Sequence, residues 1–292
     1  MAIIKTEGLT KYYGKARGIC DVSLSIEEGD FFGFIGPNGA GKSTFIRLLL
    51  GLISANGGSA EIFGKKITVG DNTKILADIG YLPSEAFFYG GMRVSVMLEF
   101  SAKLRKKDCA AEAARLCERL ELDVTRKIDQ LSFGNRKKVS IVCALQHKPS
   151  LCILDEPTSG LDPLMQREFY SILEERNKEG ATVFLSSHIL SEVDKYCKNA
   201  AVIREGRILA NDSVRNLGNT GVKRVALYGI DKAPEIPNIK DGTLDAEGFK
   251  FLYSGDVKNL LSVLSELDFE DISISDPDLD EVFMHYYTRE EE

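Results

Sequence analysis

An α/β fold, a mostly parallel sheet with flanking helices, is what this 292-residue chain predicts. Three observations carry the expectation. Continuous apolar runs at Phe31–Ile35, Leu151–Leu154, Ala181–Leu185 and Ala200–Ile203 read as strands buried on both faces. Helical stretches at 164–178 and 189–197 alternate with the later runs, as crossover connections in a parallel sheet require. A glycine-rich loop follows the first run and leads into a helix read from Ser43 to Leu52.

In chain order, residues 1–35 read as short strands with turns. Ala2 to Glu7 is the first strand, and Cys20 to Ile26 alternates at period two. Glu28-Gly29-Asp30 is a turn ahead of the buried run. These predict an antiparallel N-terminal β subdomain. Between about 84 and 148 the pattern is helical, clearest over Val94–Lys106 and Cys109–Leu122, where apolar residues recur three and four apart. After Gly218-Asn219-Thr220-Gly221 the texture changes: Val222–Ile230 is a strand, Asp256–Leu267 a helix, Ile272–Ile274 a strand and Asp278–Tyr287 a helix. The expected division is a main domain over 1–217, containing the helical subdomain at about 84–148, and a small α+β extension over 218–292. No internal repeat is present, and the acidic tail Glu290-Glu291-Glu292 is the sole low-complexity feature.

Composition narrows the class. A hydrophobic content of 43% and a charged content of 28% belong to an ordinary globular chain. A net charge of −7 argues against a nucleic-acid binder, which usually carries a basic face. Six scattered cysteines without a C-x-x-C pair predict neither metal nor disulfide framework and fit a reducing cytoplasm. No signal peptide opens the chain, and no apolar run approaches the ~18 residues that cross a bilayer. The expectation is a chain soluble by itself, with any membrane role supplied by a partner.

The chemistry begins at Gly36-Pro37-Asn38-Gly39-Ala40-Gly41-Lys42-Ser43-Thr44, which satisfies G-x-x-x-x-G-K-[ST]. Such a loop wraps backbone N–H groups around a phosphate where any Cβ would clash, and the helix beginning near Lys42 aims its positive end at the same group. Lys42 supplies a point charge to the β- and γ-phosphates, and the Ser43 hydroxyl ligates Mg²⁺. The core is therefore that of a P-loop NTPase. Further on, the run Leu151–Leu154 leads into Asp155-Glu156-Pro157, placing two carboxylates at the carboxyl edge of a buried strand, where α/β folds hold ligands. Asp155 is assigned to Mg²⁺, directly or through water, and Glu156 to polarising the water that attacks the γ-phosphate. With the phosphate loop upstream, this reading outweighs a helix-capping role for the pair.

With these residues in view the chain resembles the nucleotide-binding subunit of ATP-binding cassette transporters over about residues 3–215. Leu131-Ser132-Phe133-Gly134-Asn135 stands where that family carries LSGGQ, ahead of an apolar-periodic helix. Leu154 to Pro163 matches its carboxylate strand and D-loop, including Asp162, and Ser186-Ser187-His188 matches its switch histidine. Tyr13, before Gly14, sits where the family stacks an aromatic ring on adenine. The resemblance implies ATP and Mg²⁺ as ligands and a head-to-tail pair of cassettes, homodimer or heterodimer. In that pair Ser132 and the Gly134 backbone of one subunit close over the γ-phosphate held by the other, while His188 contacts that phosphate and orients Glu156. It further implies a cytoplasmic chain peripheral to the inner face of the cell membrane, bound to a separate polytopic permease.

Three departures stand out. Phe133 replaces the first signature glycine and Asn135 the glutamine, and Phe133 either faces the phosphate or packs elsewhere. After Ile79-Gly80-Tyr81-Leu82-Pro83 the family places a glutamine; here Ser84 stands, a weak metal ligand that would reach Mg²⁺ only through water. These variants, with the segment Asp278–Tyr287, point to export-type members. In the helical region Phe87, Phe88, Tyr89 and Met92 mark either core or the permease-docking surface. The rival functions are a soluble cassette ATPase acting on ribosomes or DNA, and a nucleotide-binding regulator with little turnover.

Overall fold

The computed structural model describes residues 1–70, 72–85, 87–218 and 222–275. It separates into two compact units, Met1–Asp212 and Ser213–Glu292. Residues 278–287, expected as a closing helix, lie outside the described residues.

The first unit opens with β1 (Ala2–Tyr13) and β2 (Ala16–Glu27), paired antiparallel. Each runs for 12 residues, so the short strands expected from sequence are two long ones. Register shifts explain the difference: bulges between Thr6 and Leu9 and again before Lys11 change which face the side chains take. The period-two pattern is broken without the strand ending. β4 (Gly57–Ile62) and β5 (Lys65–Lys66) complete a four-stranded sheet in the order β2-β1-β4-β5.

The central sheet begins at β3 (Phe31–Ile35), every residue of which is buried. It leads into α1 (Lys42–Leu49). Then come α2 (Thr73–Leu76), β6 (Ile79–Leu82), α3 (Val94–Arg105), α4 (Ala110–Arg119) and α5 (Phe133–Leu145). β7 (Leu151–Asp155), α6 (Pro163–Lys178), β8 (Thr182–Ser187), α7 (Leu190–Tyr196), β9 (Asn199–Arg204) and β10 (Arg207–Ser213) finish the unit. Strand order is β10-β9-β3-β8-β7-β6. The pairs β9–β3, β3–β8, β8–β7 and β7–β6 are all parallel. The helices expected in this unit are present, although the described residues of 84–93 contain none and a 3₁₀ turn at Ile128–Gln130 precedes α5.

An aromatic cluster fixes α1 against the sheet. The Phe34 ring stacks on Phe45 at 4.8 Å, and Phe184 lies 5.4 Å from Phe34 and 5.9 Å from Phe45. One ring comes from each of β3, α1 and β8, and all three residues are fully buried. Burial of this kind contributes roughly 1.5–3 kcal/mol per ring, and the offset packing adds geometric preference. The phosphate loop between β3 and α1 is thus anchored at both ends.

In the second unit, α8 (Val214–Gly218) precedes β11 (Val222–Tyr228), β12 (Ile239–Asp245), β13 (Gly248–Ser254), α9 (Val257–Leu264) and β14 (Asp271–Ser275). The four strands form an antiparallel sheet in the order β12-β13-β11-β14. Val225 and Leu227 share a core with Phe249, Phe251 and Tyr253, and Leu260 and Leu264 of α9 cover it. Two of these strands, β12 and β13, were not expected.

Candidate functional site

Register brings the site together. β3, β8 and β7 are neighbours, with Ile35 beside Ser187 and Ser186 beside Asp155. Their carboxyl ends deliver the phosphate loop, His188 and the Asp155-Glu156 pair to one edge of the sheet. β6 pairs with β7 as far as Leu82 beside Leu154, so Pro83 and Ser84 emerge at the same edge.

The loop is held by its glycines. Gly41 has φ of 110°, and a Cβ there would lie 2.8 Å from the Gly18 carbonyl. A side chain at this position meets both backbone strain and a clash. Ala40 is buried and its N–H donates to Pro37 O at 3.1 Å, whereas Pro37, Asn38 and Gly39 are exposed at the loop crest. Lys42 is only 6% exposed; its Nζ donates to Gly36 O at 2.5 Å and Pro37 O at 3.2 Å and pairs with Glu156 Oε1 at 3.2 Å. Ser43 and Thr44 follow in the first turn of α1.

Asp155 is buried, and Ser186 Oγ donates to its Oδ1 at 3.0 Å. Glu156 adopts φ of 47°, a left-handed conformation uncommon outside glycine that costs about 1 kcal/mol or more. Its N–H donates to Ser186 O at 3.0 Å. The turn sends the side chain between two partners: Lys42 on one oxygen and, on the other, the His188 ring, whose Nδ1 lies 2.6 Å from Oε2. The carboxylate accepts the ring N–H. The His188 side chain is about half exposed.

Ser132 caps α5, its Oγ accepting the Asn135 N–H at 3.3 Å, which leaves the hydroxyl proton free to donate. The helix therefore starts at Phe133, ahead of Asn135. A Cβ on Gly134 would lie 2.5 Å from Gly160 O, so only glycine permits this approach to the loop after β7. Phe133 packs against that same loop: its ring covers Gly160, and it lines a crevice of about 180 Å³ with Ser84, Glu85, Phe87, Arg136 and Lys137. Asp162 caps α6 through Met165 N at 3.0 Å. Tyr13 ends β1, 45% exposed; its ring edge and the Thr44 methyl each lie 3.1 Å from where a Gly18 Cβ would sit, so ring and loop are neighbours.

Two residues absent from the sequence reading belong here. Lys137, 2% exposed, reaches the carbonyls of Pro83, Ser84 and Glu156. Burial pulls its ammonium down to about 8, against the attraction of Asp155 and Glu156. Glu192, also buried, accepts from Thr158 Oγ1 at 2.7 Å and Ser187 Oγ at 2.8 Å, tying the loop after β7 to the one bearing His188. Neither had a sequence signal, since Lys and Glu on helices are ordinarily solvated.

Comparison with known proteins accords with this geometry. A family profile described as ABC transporter matches residues 19–159. The bacitracin transport ATP-binding protein BcrA of Bacillus licheniformis is 38% identical over 214 residues, 71% of this chain and 68% of that protein. The linearmycin resistance ATP-binding protein LnrL of Bacillus subtilis is 29% identical over 305 residues, 97% of each chain. Among solved structures, a dimeric ATP-binding cassette in a post-hydrolysis state with ADP and Pi matches with a TM-score of 0.63 and 25% identity, covering 73% of this chain and 99% of that one. This chain belongs to the ATP-binding cassette transporter family, as an ATP-hydrolysing, ATP-binding subunit.

Proposed function

We propose that the chain powers export through a separate membrane-spanning permease, working as a head-to-tail pair of cassettes on the cytoplasmic face of the membrane. Among the described residues no helix is long and apolar enough to cross a bilayer, so the pathway for cargo comes from the partner. The names of BcrA and LnrL, antibiotic transport and resistance, favour export. Phe87 and Tyr89 are 89% and 71% exposed, which favours the docking reading of that aromatic cluster over the core reading.

The observation that carries hydrolysis is Glu156 suspended between Lys42 and His188. Its carboxylate takes a proton from the attacking water, while His188 fixes its orientation and meets the γ-phosphate. Lys42 and the loop N–H groups neutralise charge on the β- and γ-phosphates. Tyr13 stacks on adenine. Ser132, with the Gly134 backbone and the start of α5, closes over the nucleotide of the opposite cassette, and Asp162 lies in the same contact. Among the described residues no group of three or more His, Cys, Asp or Glu side chains stands ready to hold a metal. The donor set fits Mg²⁺ all the same: one hydroxyl (Ser43), one buried carboxylate (Asp155) and the nucleotide's own phosphates are how that ion is usually held. When bound, Mg²⁺ would supply neutralisation of the charge on the nucleotide's phosphates. The Ser84 carbonyl accepts from Lys137, and its short side chain would reach Mg²⁺ only through water.

The test has two parts. Purified chain should release phosphate from ATP only with Mg²⁺, and Lys42→Ala should weaken ATP binding at least tenfold. Isolation from native membranes should recover a polytopic partner. Recovery with ribosomes alone would overturn the transporter reading, and negligible phosphate release would favour a regulator.

A further inference from the structure

Lys137 stands on the inner face of α5, and its side chain is almost entirely removed from solvent. An ammonium has three protons and no acceptor. Here each finds a main-chain carbonyl: Pro83 at 3.1 Å, Ser84 at 3.1 Å and Glu156 at 3.0 Å. The three acceptors belong to two segments that are distant in sequence. Pro83 and Ser84 leave the end of β6, where the family places its glutamine. Glu156 follows β7 and bears the catalytic carboxylate. The ammonium itself sits on the helix that Ser132 caps.

The Glu156 carbonyl is a consequential place to hold. That residue is in the left-handed region, so the direction of its side chain depends on what fixes the two peptides around it. Ser186 O holds the peptide before Glu156 through its N–H. Lys137 holds the peptide after it at 3.0 Å, where the Ser159 N–H makes only a long contact of 3.4 Å to the same oxygen. Removing the ammonium leaves that carbonyl with the long Ser159 contact alone, which loosens the hold on the side chain in the Lys42–His188 bracket.

We propose that Lys137 is a positioning residue for hydrolysis, tying the Pro83-Ser84 segment and the signature helix to the backbone of Glu156. The tie uses main-chain oxygens on both segments. It therefore survives the exchange of glutamine for Ser84, and it gives this chain a link from the 83–85 segment to the catalytic carboxylate that requires no long side chain at position 84. The proposal rests on the reading of Glu156 as the base.

Two variants of the full chain test it: Lys137→Gln and Lys137→Arg, each assayed for Mg²⁺-ATP turnover, nucleotide affinity and melting temperature. Glutamine offers fewer donors, and the flat guanidinium cannot set three on converging carbonyls. The expected result is a kcat about 30-fold lower in Lys137→Gln, with KM and ATP affinity within about threefold of wild type. Lys137→Arg should recover part of that loss. If Lys137→Gln does not fold, Lys137→Arg decides alone, with a kcat at least fivefold lower at near-native melting temperature expected. Wild-type kcat in a folded variant of Lys137, or a change confined to KM, overturns the proposal. The underlying reading fails separately, when Glu156→Gln hydrolyses ATP like wild type.

Discussion

Glu156 concentrates the residue-scale physics. It is a partly buried acid whose two oxygens face a lysine and a histidine, on a backbone turn that L-residues seldom adopt. Replacing it with glutamine keeps shape and φ preference but removes the capacity to take a proton. Glu156→Gln should therefore retain ATP affinity within about threefold while kcat falls by about 10²–10³, the usual worth of general-base catalysis with its charge placement. A stopped assay of phosphate release beside equilibrium nucleotide binding decides it; equal loss of both would mean that the carboxylate serves binding. That Glu156, Asp155, Lys42 and His188 gather at one sheet edge was legible in the sequence, because the motifs proposed for phosphoryl transfer constrain residue type and spacing together. Lys137 and Glu192 were not legible there. Their work is done from helix interiors by contacts that span 19 to 54 residues of chain for Lys137, and a lysine or glutamate in a helix looks the same whether its head is solvated or buried.

At the scale of elements, the β7–β8–β3 edge is legible and the periphery is not. A parallel strand buried on both faces carries a continuous apolar run, which is how β3, β7 and β8 announced themselves. β12 is almost wholly exposed, so its sequence carries no alternation to find. The joint after α5 shows a further feature hidden from sequence. His147 is 4% exposed, with Arg105 Nε 3.2 Å from its Nε2 and the Ile79 carbonyl 3.3 Å away. Burial first, then the neighbouring guanidinium, pushes the imidazole down to about 4. The native chain thus refuses a proton that the unfolded chain accepts below its ordinary value of about 6.5. Stability is full above that pH, declines as pH falls toward 4, and stops declining from this source below it. Between pH 7.5 and pH 5 the loss should be about 2 kcal/mol. Urea unfolding at the two pH values measures it. His147→Gln should flatten the dependence by that amount, and an unchanged slope in the variant would assign the loss to other groups.

For the whole molecule, the main consequence is that the chain has separate hydrophobic cores. The first-unit cluster runs from Ile4 and Phe34 to Ile203, and the second from Val225 to Leu264, with no residue in common. The residues proposed to hold the nucleotide all lie before position 213, in the first unit. The likeness to LnrL nevertheless extends through both units, covering 97% of each chain. Phe251 tests how far the two cores act apart. It is 2% exposed on β13, paired with Val225 of β11, and its ring lies 5.2 Å from that of Phe249. Phe251→Ala removes a buried ring and leaves a cavity, at a cost of about 3–5 kcal/mol to the core that contains it. ATP, by contrast, raises the melting point of whatever core binds it, through mass action. Scanning calorimetry with and without Mg²⁺-ATP should show one transition that moves with nucleotide and ignores Phe251→Ala, and another that drops in the variant and ignores nucleotide. A single transition responding to both would show that the second unit unfolds together with the ATPase core, and that its residues contribute to the stability on which hydrolysis depends.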